Sequence, residues 1–169
     1  MAIVTKDPFA RIHTLLRQGK LSTALGLLLD ANTKQINSAF RFDRNHAWYC
    51  VGDILYRQKR FDEAKKAFKR GIRTRPDDEQ GLMAIGDCYD ELNKPKFAER
   101  YYRHALSVLT TDNKGDRRFA ITLNLANSLF DQGRMTEAIK FYIKLADAPA
   151  LIKRKAKRNL ALAELNLPL

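Results

Sequence analysis

Small side chains return at a fixed interval in this chain, and that interval restricts the fold more than any other feature. Gly52 and Gly86, Ala64 and Ala98, and Gly71 and Ala105 each stand 34 residues apart, and the larger pairs Trp48/Leu82, Val51/Ile85, Leu55/Tyr89 and Phe68/Tyr102 keep the same separation. A period of that size marks stacked supersecondary units, each unable to bury its apolar face alone. Inside a unit the apolar positions recur every three or four residues, the spacing of one face of an α-helix. A small residue on each of two such faces lets antiparallel helices approach to the short end of the usual interaxial distance.

Two further copies flank this pair at a separation of 40 residues. Downstream come Leu125, Ala126, Leu129, Gly133, Ala138 and Tyr142, with about one extra helical turn entering around Asn113 to Arg118, a stretch that contains Gly115. Upstream, Ile12, Leu15, Gly19, Leu21, Ala24, Leu28 and Ala31 form a weaker copy in which Ile12 stands where the others place glycine or alanine; its extra residues fall near Ala39 to Arg44. Gly19, Asn93 and Gly133 occupy corresponding points between paired helices, where a left-handed residue ends the first helix, and Lys59 holds that point in the remaining repeat. Pro95 suits the first helical position, where a missing N–H costs nothing.

The run Trp48, Val51, Gly52, Leu55, Ala64, Phe68, Gly71 and Pro76 resembles the tetratricopeptide repeat, W-x2-L-G-x2-Y, A-x3-F and a closing Pro, with Leu55 and Gly71 replacing the usual Tyr and Ala. Leu82, Ile85, Gly86, Tyr89, Ala98, Tyr102 and Ala105 repeat it, with Thr110 in the place of the Pro. The resemblance implies an all-α fold, a right-handed α-solenoid of antiparallel helix pairs in one domain. Its parts would be a weak repeat over about 5–38, repeats at 45–78 and 79–112, a repeat-like segment at 119–149, and a capping helix over 150–166. In that last helix Ile152, Ala156, Leu160 and Ala163 share a face, and Leu165, Leu167 and Leu169 follow with no assigned apolar partner; truncation of a longer array is the alternative to a cap.

Composition removes several function classes. With 45% apolar residues the chain is too hydrophobic to be disordered, yet its longest strongly apolar stretch, Leu25 to Leu29, is far short of a membrane span, and Met1 to Phe9 lacks a signal peptide's apolar core. A cytoplasmic protein is expected. Cys50 and Cys88 belong to no CxxC pair and read as buried thiols. His13, His46 and His104 lie in different repeats with no Cys, Ser or carboxylate at a motif spacing, and phosphate-loop, zinc-protease and calcium-loop motifs are missing. Neither an enzyme nor a resident cofactor or metal is implied.

Function must then come from the surface. In tetratricopeptide arrays the first helices line a concave groove, which the resemblance maps here onto Phe9, His13, Tyr49, Asp53, Tyr56, Met83, Asp87, Asp90, Leu123, Asn127 and Phe130. This aromatic and acidic lining suits a protein or peptide with basic and apolar side chains. The subfamily that grips chaperone tails by their terminal carboxylate uses Lys, Asn and Arg where this chain has Phe9, His13, Cys50, Gln80 and Ala84, so that clamp is missing. The charge is uneven: nine basic and two acidic residues occupy 57–75, against six acidic and no basic residues in 76–91, within a net charge of +12. Lys65, Lys66, Lys69, Arg70 and Arg73, with Lys153, Arg154, Lys155, Lys157 and Arg158, would form an outward basic face able to meet nucleic acid or an anionic membrane, or simply a solvated face. Two further alternatives are self-association through exposed terminal repeats and a small tetratricopeptide secretion chaperone, whose often acidic character this basic chain does not share.

Overall fold

A computed structural model of the chain describes residues 7–109 and 116–166. Thr110, the part of the insertion from Asn113 to Gly115, and the terminal Leu167 and Leu169 lie outside the described residues. The described residues are helical apart from connecting turns and one isolated antiparallel bridge between Leu29 and Ile36. They form two compact units, one ending at Pro76 and the other beginning at Asp77.

In the first unit α1 (Phe9–Arg17) pairs with α2 (Leu21–Leu28), and α3 (Arg44–Arg57) pairs with α4 (Phe61–Ile72). The residues between α2 and α3 do not lengthen a helix. Asp30 Oδ1 accepts the N–H groups of Asn32 and Thr33 at 3.0 and 2.8 Å, closing a turn, and a 3-10 segment from Ser38 to Asp43 buries Phe40 before Asp43 caps α3 by accepting the His46 N–H. Ile12 is fully buried together with Ala24 and Leu28, so the weak repeat keeps its helix pair despite the larger side chain.

The second unit holds α5 (Glu79–Glu91), α6 (Pro95–Val108), α7 (Asp116–Asp131), α8 (Met135–Ile143) and α9 (Ala150–Leu165), each packed on the next in order and α9 also on α7. Pro95 does open α6, and Asp78 caps α5 through the Gln80 N–H. Gly19, Lys59, Asn93 and Gly133 all take left-handed φ between 54 and 74°, at the same point of four successive helix pairs. Lys59 adopts this conformation without glycine's freedom, because the pairing of α3 with α4 requires the same turn there.

The recurring glycines make room for a ring. A Cβ on Gly52 would lie 2.5 Å from the Phe68 ring, and one on Gly86 would lie 2.5 Å from the Tyr102 ring, so each second helix rests its aromatic residue directly on the backbone of the first. Gly26, exposed on α2, has nothing within 4 Å of such a Cβ. Gly26→Ala is therefore expected to stabilise the protein by about 0.5–1 kcal/mol through helix propensity alone. An unchanged or lower urea midpoint would contradict that reading of α2.

Candidate interaction surface

The residues mapped to the groove fall at i, i+4 and i+7 on three helices: Tyr49, Asp53 and Tyr56 on α3, Met83, Asp87 and Asp90 on α5, and Leu123, Asn127 and Phe130 on α7. That spacing puts each trio on one face of its helix. Phe9 and Leu123 are only 4% and 6% exposed, so they supply packing and little accessible surface. His13 and the other eight residues are half-buried. In the first unit Tyr49 leans on Phe68 with ring centroids 5.4 Å apart, Tyr56 meets Phe61 edge-on at 5.2 Å, and Asp53 pairs with Arg57 at 3.1 Å.

In the second unit the polar members are tied from behind. Tyr102, fully buried as its core position requires, has its hydroxyl 2.8 Å from Asp87 Oδ1 and 2.7 Å from Asp90 Oδ2, while Asn124 Nδ2 donates to Asp87 Oδ1 at 2.9 Å. Tyr102 is the donor in both contacts, and its single proton is shared between the two carboxyls. At Asp90 the cost of burial outweighs that hydrogen bond. Burial, reinforced by the charges of Asp87, Asp131 and Glu91 and opposed by the Tyr102 hydrogen bond, pushes its carboxyl up to about 7. Burial also raises Asp87, against the hydrogen bonds from Tyr102 and Asn124. Asp90 Oδ1 is buried and accepts no hydrogen bond from the described residues. One repeat later Tyr142 donates to Asn127 Oδ1 at 2.8 Å, and Asn159 of α9 donates to the same oxygen at 2.8 Å. Sequence reasoning placed these tyrosines in the core but missed the reach of their hydroxyls, which lie 15 residues from Asp87 and from Asn127 respectively.

The basic residues differ among themselves. On α4, Lys66 is exposed and Arg73, the residue that follows the helix, is exposed as well, whereas Arg70 lies over the Trp48 ring at 4.7 Å. Lys69 is half-buried, and Lys65, its side chain 13% exposed, is paired with Asp62 at 2.6 Å. On α9, Lys153, Arg154, Lys155, Lys157 and Arg158 are all exposed, and Ala156 and Ala163 carry the buried face with Ile152 and Leu160 half-buried beside them. Leu151, Leu162 and Leu165 of the same helix are 56%, 42% and 82% exposed.

The structure corrects the histidine reading. His13 and His46 are brought together across α1 and α3 with their Nε2 atoms 3.2 Å apart, and Cys50, one turn beyond His46, places its Sγ 3.7 Å from His46 Nε2. Two of the three histidines therefore do have partners: the four-residue spacing of His46 and Cys50 on one helix was open to sequence reading, whereas His13, 33 residues from His46, was not. His104 stands apart, exposed on α6. Burial, with the charges of Asp53 and Asp43, pushes the Cys50 thiol up to about 12.

Matches to the tetratricopeptide repeat cover residues 46–78, 82–118 and 121–149, in register with the helix pairs α3–α4, α5–α6 and α7–α8. The chain belongs to the tetratricopeptide repeat family. Among relatives, the human protein O-mannosyl-transferase TMTC3 is 30% identical across 78% of this chain, and its mouse counterpart 29% identical across 78%; the chain spans 16% of the length of each. Among solved structures, MamA AMB-1 superposes with a TM-score of 0.72 at 18% identity, covering 93% of this chain and 85% of that one. The first tetratricopeptide domain of Spaghetti (RPAP3), bound to the HSP90 peptide SRMEEVD, superposes with a TM-score of 0.62 at 15% identity, covering 83% of this chain and 97% of that one. These likenesses establish an all-α tetratricopeptide fold.

The weak first repeat falls outside the family matches, and it carries a feature the sequence does not announce. Between α2, α3 and α4 an open cavity of about 630 Å³ has Leu25, Leu29 and Val51 among its apolar lining and Lys34, Arg60 and Lys66 among its charged lining. No described helix is long and apolar enough to cross a membrane.

Proposed function

We propose that this chain is a non-catalytic interaction scaffold whose first-helix faces take up a protein or peptide segment bearing basic and apolar side chains. The observation that carries the reading is the recurrence of a half-buried polar residue at the i+4 position of α3, α5 and α7, Asp53, Asp87 and Asn127, with the half-buried aromatic Tyr49, Tyr56 and Phe130 beside it on α3 and α7. Half-buried rings such as Tyr56 and Phe130 offer contact area at low entropic cost, and Asp53 offers a carboxylate to a cation. The Spaghetti domain holds an acidic peptide on the same fold, whereas the positions equivalent to the carboxylate clamp hold Phe9, His13, Cys50, Gln80 and Ala84 here.

Fluorescence anisotropy with synthetic peptides tests this. Extended peptides alternating Lys or Arg with Leu or Phe are expected to bind, and SRMEEVD to bind at least tenfold more weakly. Tyr56→Ala and Tyr49→Ala should each weaken capture about tenfold or more while leaving the helical circular dichroism spectrum intact, and Asp87→Asn should do so for the basic peptides. Equal binding by all three variants, or preference for the acidic peptide, would sink the proposal.

The exposure of all five basic residues of α9 supports a second reading, retention on a nucleic acid or an anionic membrane. It is discriminated by the same assay: peptide capture would depend weakly on salt, and polyanion retention steeply. The exposed Leu151, Leu162 and Leu165 support self-association through the terminal repeat in the same way.

A further inference from the structure

His13, His46 and Cys50 form the only three-residue group of His, Cys, Asp and Glu among the described residues whose donor atoms converge, all within 4.8 Å of one another. His46 and Cys50 are one helical turn apart on α3, so their side chains leave the same face, and His13 reaches them from α1. The two separations from His46 fit a shared ion, and His13 and Cys50 lie within 4.8 Å of each other. Around a tetrahedral zinc, bond lengths of about 2.0–2.1 Å to nitrogen and 2.3 Å to sulfur place two nitrogen ligands about 3.3 Å apart and a nitrogen and a sulfur about 3.6 Å apart. The observed separations are 3.2 Å between the imidazole nitrogens and 3.7 Å from Cys50 Sγ to His46 Nε2.

The donor set selects the ion. Two imidazoles and a thiolate suit zinc and disfavour magnesium or calcium, which take oxygen ligands. The surroundings orient the donors: the Phe9 ring meets His46 edge-on at 4.5 Å and stacks against His13 at 6.3 Å, with Phe40 and Phe42 packed on Phe9 at 5.1 and 5.7 Å. Such an apolar sleeve fixes ring orientation and limits water around a metal. Cys50 is buried while both imidazoles keep part of their surface open, which leaves an entry path.

We propose that His13, His46 and Cys50 bind a zinc ion that clamps α1 to α3, with water in the fourth coordination position. Coordination replaces the Cys50 S–H proton, which passes to solvent. The clamp joins the weak first repeat, outside the family matches, to the first helix of the repeat matched at 46–78.

Tag-free full-length protein, stripped with chelator, is titrated with Zn²⁺ by calorimetry and with Co²⁺ by absorption. The expected result is one equivalent of either metal, a thiolate-to-cobalt charge-transfer band with tetrahedral d–d bands, and a rise in Tm on adding Zn²⁺. His13→Gln and Cys50→Ala should each weaken binding by more than ~100-fold and abolish the rise in Tm, while Cys88→Ala, which alters the other buried cysteine, binds as wild type. His13 is half-buried, so His13→Gln decides the matter if Cys50→Ala fails to fold. Absence of stoichiometric uptake, or uptake unchanged in His13→Gln, overturns the proposal and leaves the group as a hydrogen-bonded pair of imidazoles beside a thiol.

Discussion

Gly86→Ala is expected to lower the unfolding free energy by about 2–3 kcal/mol, and Gly52→Ala by a similar amount. The added methyl would sit 2.5 Å from the ring of Tyr102 or Phe68, well inside van der Waals contact. Neither ring can retreat: Tyr102 is fully buried and held at its hydroxyl, and Phe68 is 3% exposed. Relief would come only from separating the paired helices, which at Gly86 also stretches the contacts to Asp87 and Asp90. Alanine's better helix propensity returns up to about 1 kcal/mol, which is less than the overlap costs. Urea unfolding measures the balance as a lower midpoint at unchanged slope. A loss below about 0.5 kcal/mol in both variants would mean that close approach of the helix pairs does not depend on these glycines.

Tyr102→Phe is expected to cost about 2 kcal/mol near pH 8 and progressively less toward pH 5. The Asp90 carboxyl, ordinarily near 3.8, is raised to about 7 in the fold, so it binds a proton more readily folded than unfolded. Its favourable contribution is complete below its unfolded value and is lost as pH rises through about 7. The Tyr102 hydrogen bond holds that value down, so removing the hydroxyl raises it further and steepens the loss at alkaline pH. Asp90→Asn removes the titration and should gain on the order of 1 kcal/mol at pH 8, a figure discounted for the solvent that reaches this partly exposed group. The stability difference between wild type and Asp90→Asn, followed by urea unfolding from pH 5 to 8, carries the test. A difference independent of pH would show that Asp90 does not titrate between pH 5 and 8, against this expectation.

The helix pairs and their register were legible in the sequence because each depends on residues close along the chain. Gly52 and Phe68, or Asn93 and Pro95, announce a pair from within one repeat, and even Lys59, which lacks the expected residue type, takes the expected conformation. What stayed hidden joins successive repeats. Five of the bonds between them link residues 32 to 37 apart: His13 with His46, Asp87 with Asn124, Pro95 with Ser128, Glu99 with Gln132, and Asn127 with Asn159. An interval read from equivalent positions, 34 or 40 residues, misses these partners, because stacked helices are offset and a side chain meets a neighbour slightly out of step. The approach of His13 to His46 and Cys50 was overlooked for this reason. The mapped face was legible as a set of positions, and the inward ties of Asp87, Asp90 and Asn127 were not, because a tyrosine assigned to the core carries no sign of where its oxygen points.

Those ties have a consequence for what an approaching ligand meets. The second helices carry Phe68, Tyr102 and Tyr142 at one equivalent position, and a single oxygen atom separates the first from the other two. Where it is present, the polar residues in front of it turn toward the interior; where it is missing, Asp53 turns to Arg57 at the surface instead. The display of negative charge is thus written on the rear wall of each helix pair, and exchanging phenylalanine for tyrosine there would retune the front without altering any residue on it.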